Sequence, residues 1–296
     1  MDNLTPGGLL AFQEDAALKF LATLSREGIP NVAPILSLDA INENTIAFGD
    51  YMMWKSKKNL TENTRVAGFA MSMVNFKVYR FKGDFVEFLK AGEIVDRQNM
   101  KSFFRYNAYT GVRSAGVINI KETCPSRKLL SSIIQDALKI KIAKGKVEPH
   151  VKEAEPLIHP RVIEKFKGIL SFKCLAFKDE DNYPAVIPIL SISPKKDGRR
   201  LVFSFTGYED EISRIGENSK VAIAMFYIKT DKNLLSLALS GASSFSGIQP
   251  VAYQLKGLFK GSKKIRGVTI GVIDVENVFS SSPPLPGKEI TLRIKS

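Results

Sequence analysis

The 296-residue sequence predicts a β-dominated α+β protein built as two small barrel-like domains in tandem. The first observation behind this prediction is an internal repeat, because GIPNVAPILSL at residues 28–38 recurs as NYPAVIPILSI at residues 182–192. The second is a later match in the same order, LTENTRVAGFAM at 60–71 with IGENSKVAIAMF at 215–226. Two collinear matches at nearly equal separation indicate two copies of one unit.

Chain length supports two domains, since a single domain usually contains about 100 to 200 residues. The segment KVEPHVKEAEPLIHP at residues 146–160 is polar and contains three prolines, which is typical of a connection between domains. We therefore predict a first domain over residues 1–150 and a second over residues 151–296.

Each copy is expected to contain about six short strands, because β-branched and aromatic residues cluster between turn-forming residues. Beyond the repeated segments, the predicted strands cover 45–51, 65–73, 77–83 and 114–121 in the first copy, and 200–208, 220–227, 235–241, 252–257 and 268–279 in the second.

Helices are predicted at three places. Short helices over 57–63 and 210–218 each close at an Asn, a residue that suits a helix end. The apolar period within residues 125–144 predicts an amphipathic helix that packs at the end of the first domain.

Composition favours a soluble globular protein, with 44% hydrophobic and 25% charged residues. No segment approaches the roughly 18 consecutive apolar residues that a membrane span requires, so no membrane association is expected. Acidic residues precede the first apolar stretch and no basic leader is present, so we expect a cytoplasmic protein.

Cysteine and histidine usage argues against metal or triad chemistry. Cys124 and Cys174 are far apart and lack CxxC or metal-ligand spacing, so no metal site and no disulfide are expected. His150 and His159 lie in the lysine- and proline-rich connection, which disfavours a histidine-based catalytic triad. Chemistry is expected to come from a cofactor.

The formal net charge of +13 could attract nucleic acid, an anionic membrane or a phosphorylated ligand. The lysines and arginines are spread along the chain and form no nucleic-acid motif, so nucleic-acid binding is not expected.

A local basic cluster is more informative than the net charge. Lys55, Ser56, Lys57 and Lys58 occur where a strand is predicted to turn into a helix, with Asn59 next.

Free backbone N–H groups at a helix start favour an anion, and this cluster adds ammonium groups and a hydroxyl donor. The sequence therefore predicts that a terminal phosphate binds there, the competing interpretation being a solvated basic surface. Trp54 precedes the cluster, and we expect it to anchor the turn to the core, with stacking on a ligand ring as the alternative.

Two runs resemble a known family. FLATLSREGIPNVAPI at 20–35 and MWKSKKNLTENTRVAGF at 53–69 are similar to the opening strands and phosphate-binding turn of the FMN-binding split-barrel superfamily related to pyridoxamine 5'-phosphate oxidase. The resemblance covers most of the first half and extends more weakly to the second. It implies two split β-barrel domains that form an intrachain pseudo-dimer, since family members commonly pair as homodimers around their flavins. It also leaves open a further homodimer.

The resemblance also implies which residues hold the cofactor. Residues along the isoalloxazine ring would be Pro34, Ile35, Leu36 and Ser37, and residues beside the ring and ribityl chain would be Gly49, Asp50 and Tyr51. Barrel core is the equally weighted interpretation of Ile35 and Leu36. Gly49 would permit a flat ring to approach closely.

Arg80 and Lys82 are further candidates, because a cation near the flavin N1–C2=O edge stabilises the reduced cofactor. A surface-exposed strand face is the competing interpretation of these two residues. Catalytic residues are unknown. Tyr51, Arg105 and Tyr106 could serve a substrate, although interface contacts explain them as well.

The second copy has lost the basic cluster. Asp210 and Glu211 align with Lys55 and Ser56, and carboxylates so placed repel a phosphate dianion. We therefore expect one flavin site per chain.

The leading functional hypothesis is an FMN-dependent oxidoreductase of unknown small-molecule substrate or electron partner. The alternatives are a non-catalytic flavin- or haem-binding protein with an electron-transfer role, a deazaflavin-dependent reductase, and a cofactor-free dimerisation module. The C-terminal Arg and His pattern of a true pyridoxamine-phosphate oxidase is missing, so that reaction is not expected.

Overall fold

The computed structural model describes residues 3–51, 53–101, 111–147, 155–168, 171–229, 249–282 and 286–292. Its main elements are two seven-stranded antiparallel sheets, one from each half of the chain.

The described residues of the first half form seven strands and four helices. The strands are β1 (Leu18–Leu24), β2 (Pro30–Pro34), β3 (Asp39–Asn42), β4 (Thr45–Gly49), β5 (Arg65–Met71), β6 (Lys77–Leu89) and β7 (Ala115–Lys128). The helices are α1 (Pro6–Gln13), α2 (Trp54–Glu62), α3 (Glu93–Asn99) and α4 (Leu130–Ala143), the last followed by a 3-10 turn at Lys144–Lys146.

The second half contributes seven strands and two helices among the described residues. The strands are β8 (Ser171–Lys178), β9 (Pro184–Pro188), β10 (Ser193–Pro194), β11 (Arg200–Phe203), β12 (Lys220–Lys229), β13 (Gln249–Ile265) and β14 (Val268–Ser280). The helices are α5 (Pro160–Lys167) and α6 (Glu209–Ser213).

Both sheets have the same strand order. The first sheet runs β2-β1-β5-β6-β7-β4-β3, and the second runs β9-β8-β12-β13-β14-β11-β10, which is the first order with every strand number raised by seven. The packing also recurs. The Phe48 ring lies on Gly116 and the Phe203 ring lies on Gly271, and in both places an added Cβ would fall 2.2 Å from a ring carbon. These glycines are therefore required by the close approach of a ring.

One hydrophobic core spans both halves. Leu18 and Phe20 of β1 pack in the same buried cluster as Phe172 and Leu175 of β8, and Phe20 stacks on Phe69 with ring centroids 5.1 Å apart. Each such buried side chain contributes about 1.5 to 3 kcal/mol relative to exposure. The two barrels thus cover each other's apolar faces, and the predicted intrachain pseudo-dimer of tandem split barrels is confirmed.

Several predicted boundaries are wrong by a few residues. Helix α2 begins at Trp54 instead of residue 57, and α6 ends at Ser213 instead of residue 218. Strand β7 continues through Pro125 to Lys128, so α4 begins at Leu130 instead of residue 125. An irregularity in the β6–β7 register at this point accommodates the proline, which cannot donate to the ladder. The predicted strand at 235–241 and the domain boundary near residue 150 lie outside the described residues.

Two expectations concern the described residues as a whole. None of their helices combines the length and apolar character needed to cross a membrane. Within the same residues, no three His, Cys, Asp or Glu side chains come together as a potential metal site. The cytoplasmic location stays a prediction.

Candidate functional site

Two contact regions between the barrels, called the first and the second groove, lie where the helix after the fourth strand of one barrel faces the other barrel. The first groove is formed by α2, with Lys55 and Ser56, against Gln254, Lys256 and Phe279 of the second barrel. The second groove is formed by α6 and the residues around it, against Arg80 and Lys82 of the first barrel.

The first turn of α2 points into the first groove. Its N-cap residue, Met53, provides no side-chain cap, and the Lys57 amide already donates to the Met53 carbonyl at 2.7 Å. The uncapped amides of this helix therefore belong to Trp54, Lys55 and Ser56. Because α2 starts three residues earlier than predicted, Lys55 and Ser56 lie in its first turn, and Lys57, Lys58 and Asn59 lie further along the helix.

Lys55 is the most unusual side chain of the groove. Its Nζ atom is buried, has no hydrogen-bond partner in the described part of the chain, and lies 2.9 Å from the centroid of the Phe279 ring. Burial, reinforced by the charge of Lys256, lowers the pKa of Lys55 to about 8. The charge of Glu289 acts in the opposite direction but does not offset the burial. A buried cation without a hydrogen-bonded counter-ion is costly, and an anion bound here would relieve that cost.

Ser56 is held by a buried hydrogen-bond chain that crosses the domain interface. The Asn31 Nδ2 atom donates to Ser56 Oγ at 3.1 Å. Gln254 Nε2 in turn donates to Asn31 Oδ1 at 3.0 Å and to the Val32 carbonyl at 2.6 Å. The orientation of the Ser56 hydroxyl therefore depends on a residue of the other barrel.

The remaining residues of the basic cluster make contacts within the first barrel. Asn59 Nδ2 donates to Thr23 Oγ1 at 2.9 Å, and Lys57 forms an ion pair with Asp50. Lys58 is exposed, 3.9 Å from Glu62, in a surface pair that contributes little. Of the five residues predicted from this cluster, Lys55 and Ser56 are the two placed at the groove.

The predicted ring-binding strand lies at the edge of the first barrel. Ile35 is buried in the core of that barrel, and Leu36 packs against the interdomain core beyond Pro34. Ser37 Oγ accepts a hydrogen bond from the Gly49 amide at 3.1 Å, which ties this strand to the end of β4. The same bond recurs in the second barrel, where the Ser204 amide donates to Ser191 Oγ at 3.0 Å.

Gly49 is approached by a ring of the chain itself. A Cβ at this position would lie 2.5 Å from a ring carbon of Tyr51 and 2.7 Å from a methyl group of Val112. Burial raises the pKa of Tyr51 to about 12. Asp50 is buried and accepts from Ser114 Oγ at 3.1 Å. These three residues form one packed corner, and the glycine is required there by Tyr51.

Arg80 and Lys82 lie at the second groove. Arg80 pairs with Glu211 at 2.8 Å, and Lys82 pairs with Asp179 at 2.9 Å. None of their described contacts involves α2. In this groove the cations are therefore neutralised by carboxylates of the protein itself.

Helix α4, which belongs to the first half of the chain, covers one side of the second groove. The Asp136 carboxylate accepts from Ser204 Oγ at 2.7 Å and from the Thr206 amide at 3.3 Å. A small cavity remains between α4 and residues 188–191, which repeat the sequence PILS of residues 34–37, and Tyr208 lies beside it. Helix α4 therefore packs against this part of the second barrel.

Trp54 departs from expectation. Its side chain is 66% exposed, so the prediction that it anchors the turn to the core is wrong. Five residues of the two grooves are not singled out by the sequence alone: Asn31, Gln254, Lys256, Phe279 and Asp136. Asn31 lies inside the repeated segment, but the other four became visible only through the pairing of the barrels.

The shared strand order and the interdomain grooves define the class of protein: two split β-barrels in tandem that pair within one chain. No protein-family model matches the chain. An uncharacterized protein of Methanocaldococcus jannaschii is 28% identical over 121 residues, covering 38% of this chain and 78% of that protein.

Three solved structures are similar to part of the chain. An FMN-binding protein from Syntrophomonas wolfei is 20% identical, with a TM-score of 0.35 over 41% of this chain and 83% of that chain. HupZ from Group A Streptococcus is 17% identical, with a TM-score of 0.34 over 40% of this chain and 90% of that chain. An F420 reductase is 17% identical, with a TM-score of 0.31 over 42% of this chain and 98% of that chain.

Proposed function

We propose that this chain is an FMN-binding protein that holds the cofactor phosphate in the first groove, with one flavin per chain. The two domains would be residues 1–150 and 151–296, related by an ancestral duplication. In this proposal the flavin lies between the barrels, its ring beside residues 34–37 and the corner formed by Gly49, Asp50 and Tyr51.

The observation that carries the proposal is the buried ammonium of Lys55 at the uncapped start of α2. This ammonium makes no hydrogen bond with any described residue, and burial lowers the pKa of Lys55 to about 8. A phosphate dianion would supply the missing counter-charge and accept hydrogen bonds from the helix amides and the Ser56 hydroxyl. The residues present therefore fit a terminal phosphate.

The second groove supports a single site. Its helix carries Asp210 and Glu211 where α2 carries Lys55 and Ser56, and Glu211 already neutralises Arg80 at 2.8 Å. A phosphate there would compete with a covalently tethered carboxylate and meet the charge of Asp210. We infer one flavin and one degenerate groove in each chain.

Bound FMN supplies hydride or electron transfer, which makes a flavin-dependent oxidoreductase the leading activity. The contribution of the chain is to bind the phosphate through Lys55 and Ser56 and to cover the cofactor between two barrels. The substrate class stays open, and deazaflavin or haem are the competing ligands in the binding assay.

The test is calorimetric titration of the purified chain with FMN, riboflavin, a deazaflavin and haem. We expect one FMN per chain and weaker riboflavin binding, because riboflavin lacks the phosphate. Changing Lys55 and Ser56 to Ala should weaken FMN binding about tenfold or more. The matched double change of Asp210 and Glu211 to Ala should leave it within twofold. Equal losses from both double variants, or two FMN per chain, would refute the asymmetric site.

A further inference from the structure

We propose that Gln254 and Lys256 of the second barrel complete the phosphate site of the first groove and set its preference for a phosphate monoester over a neutral ligand. This inference rests on the proposed FMN function. It assigns the second barrel a direct part in cofactor binding, with Lys256 as a binding residue and Gln254 as a positioning residue.

Strand register brings both side chains to the groove. Gln254 on β13 is paired with Phe279 on β14, and the Phe279 ring makes the cation–π contact with the Lys55 ammonium. Lys256 follows two residues later on the same strand, opposite Asn277. Side chains two residues apart on a strand point to the same face, so Lys256 lies on the Gln254 side of β13.

Gln254 controls the donor capacity of Ser56. Because Asn31 donates to Ser56 Oγ at 3.1 Å, that oxygen serves as an acceptor there and the hydroxyl hydrogen is left to donate elsewhere. The bond from Gln254 Nε2 to Asn31 Oδ1, 3.0 Å long, fixes the Asn31 amide in the required orientation. Ser56, Asn31 and Gln254 are all buried, so water does not easily replace these bonds.

Lys256 brings an uncompensated charge. It forms no ion pair with any described residue, whereas its neighbour Lys220 is paired with Glu276 at 2.7 Å. Lys55, the other cation of the groove, forms no hydrogen bond or ion pair with a described residue, and the charge of Glu289 does not offset the effect of its burial. Two unpaired cations, one from each barrel, match the two negative charges of a phosphate monoester.

At the equivalent positions of the second groove, the cations are neutralised by carboxylates of the protein. Arg80 is paired with Phe69 on β5, and Gln254 is paired with Ala224 on β12, the strand equivalent to β5. Arg80 and Lys82 are thus the counterparts of Gln254 and Lys256. There both cations meet carboxylates, Glu211 at 2.8 Å and Asp179 at 2.9 Å. The first groove has the same positions without the acids.

The experiment compares FMN and riboflavin affinity in the full-length chain carrying Lys256→Gln, Lys256→Arg or Gln254→Met. Lys82→Gln, at the equivalent position of the second groove, is the matched control. We expect Lys256→Gln and Gln254→Met each to weaken FMN binding about tenfold while riboflavin binding changes less than twofold. Lys256→Arg should keep FMN affinity within about threefold, and Lys82→Gln should leave it unchanged.

Inorganic phosphate provides a second readout. It should raise the thermal midpoint of the unsubstituted chain and of Lys82→Gln, and raise that of Lys256→Gln much less. FMN binding that is unaffected by Lys256→Gln would overturn this inference and leave the proposed function intact. Equal losses of FMN and riboflavin affinity would show a merely structural role and also overturn it. An unsubstituted chain that binds neither FMN nor phosphate would overturn the proposed function itself.

Discussion

Replacing Lys19 with Met should stabilise the protein, and the gain should shrink as the pH rises. Lys19 lies on β1 with no exposed surface, and its Nζ atom has no hydrogen-bond partner among the described residues. Burial lowers the pKa of Lys19 to about 7, helped by the nearby charge of Lys101. Asp39, Asp15 and Glu14 act in the opposite direction but do not offset it.

The sign follows from proton counting. Between pH 7 and 10.5 the unfolded chain carries a proton on Lys19 that the folded chain lacks, so this group makes stability rise with pH by about 1.4 kcal/mol per unit. Below pH 7 the folded chain must hold a buried ammonium, at a cost on the order of 5 kcal/mol. Lys19→Met removes this cost and its pH dependence while keeping a side chain of similar size.

Urea unfolding between pH 6 and pH 10 measures the effect. The stability difference between Lys19→Met and the unsubstituted chain should be several kcal/mol near pH 6 and should fall steadily toward pH 10. Lys173, the equivalent residue on β8, is the control. Its Nζ donates to the Leu190 carbonyl at 2.8 Å, so Lys173→Met should destabilise by about 1 to 3 kcal/mol. A Lys19→Met variant that is less stable at pH 6, or shows no pH trend, would refute the reasoning.

Three further predictions concern the grooves. FMN affinity should fall as the pH rises through about 8, because Lys55 then loses the proton that a dianion requires, while riboflavin affinity stays constant in the same titrations. Asp136→Ala should lower the free energy of unfolding by about 1 to 3 kcal/mol, since it leaves Ser204 without its 2.7 Å acceptor; an unchanged urea midpoint would contradict the closing role of α4. Gly49→Ala should destabilise by a similar amount, and adding Tyr51→Ala should recover part of the loss in thermal melts, because the new Cβ clashes with that ring at 2.5 Å.

The site shows where sequence reasoning stops. Lys55 and Ser56 were identified because their residue types and position suit a helix start, and both reach the groove. Lys57 and Asn59 have equally suitable chemistry but make contacts with Asp50 and Thr23 in their own barrel. The difference is one of helical phase, since each residue of α2 is rotated by about 100° around the helix axis from the one before it, so the side chains point in different directions.

Arg80 and Lys82 illustrate the same limit at longer range. Both are candidates for the flavin because a nearby cation stabilises the reduced cofactor, yet they pair with acids that are 131 and 97 residues away in sequence. Their counterparts at the first groove, Gln254 and Lys256, became visible only once the register of β13 was known. Nothing in the local sequence distinguishes the two pairs.

The sequence by itself determined that the chain consists of two related β-rich units and that only the first has a basic helix start. Both conclusions depend on local patterns, alternation of apolar residues and residue types near a turn, which the chain displays without folding. The tertiary structure decided which barrel face each unit buries, which cations are neutralised by acids, and that α4 closes the second groove. Those outcomes depend on contacts between residues far apart in sequence, so they follow from the packing of the two barrels and not from either unit alone.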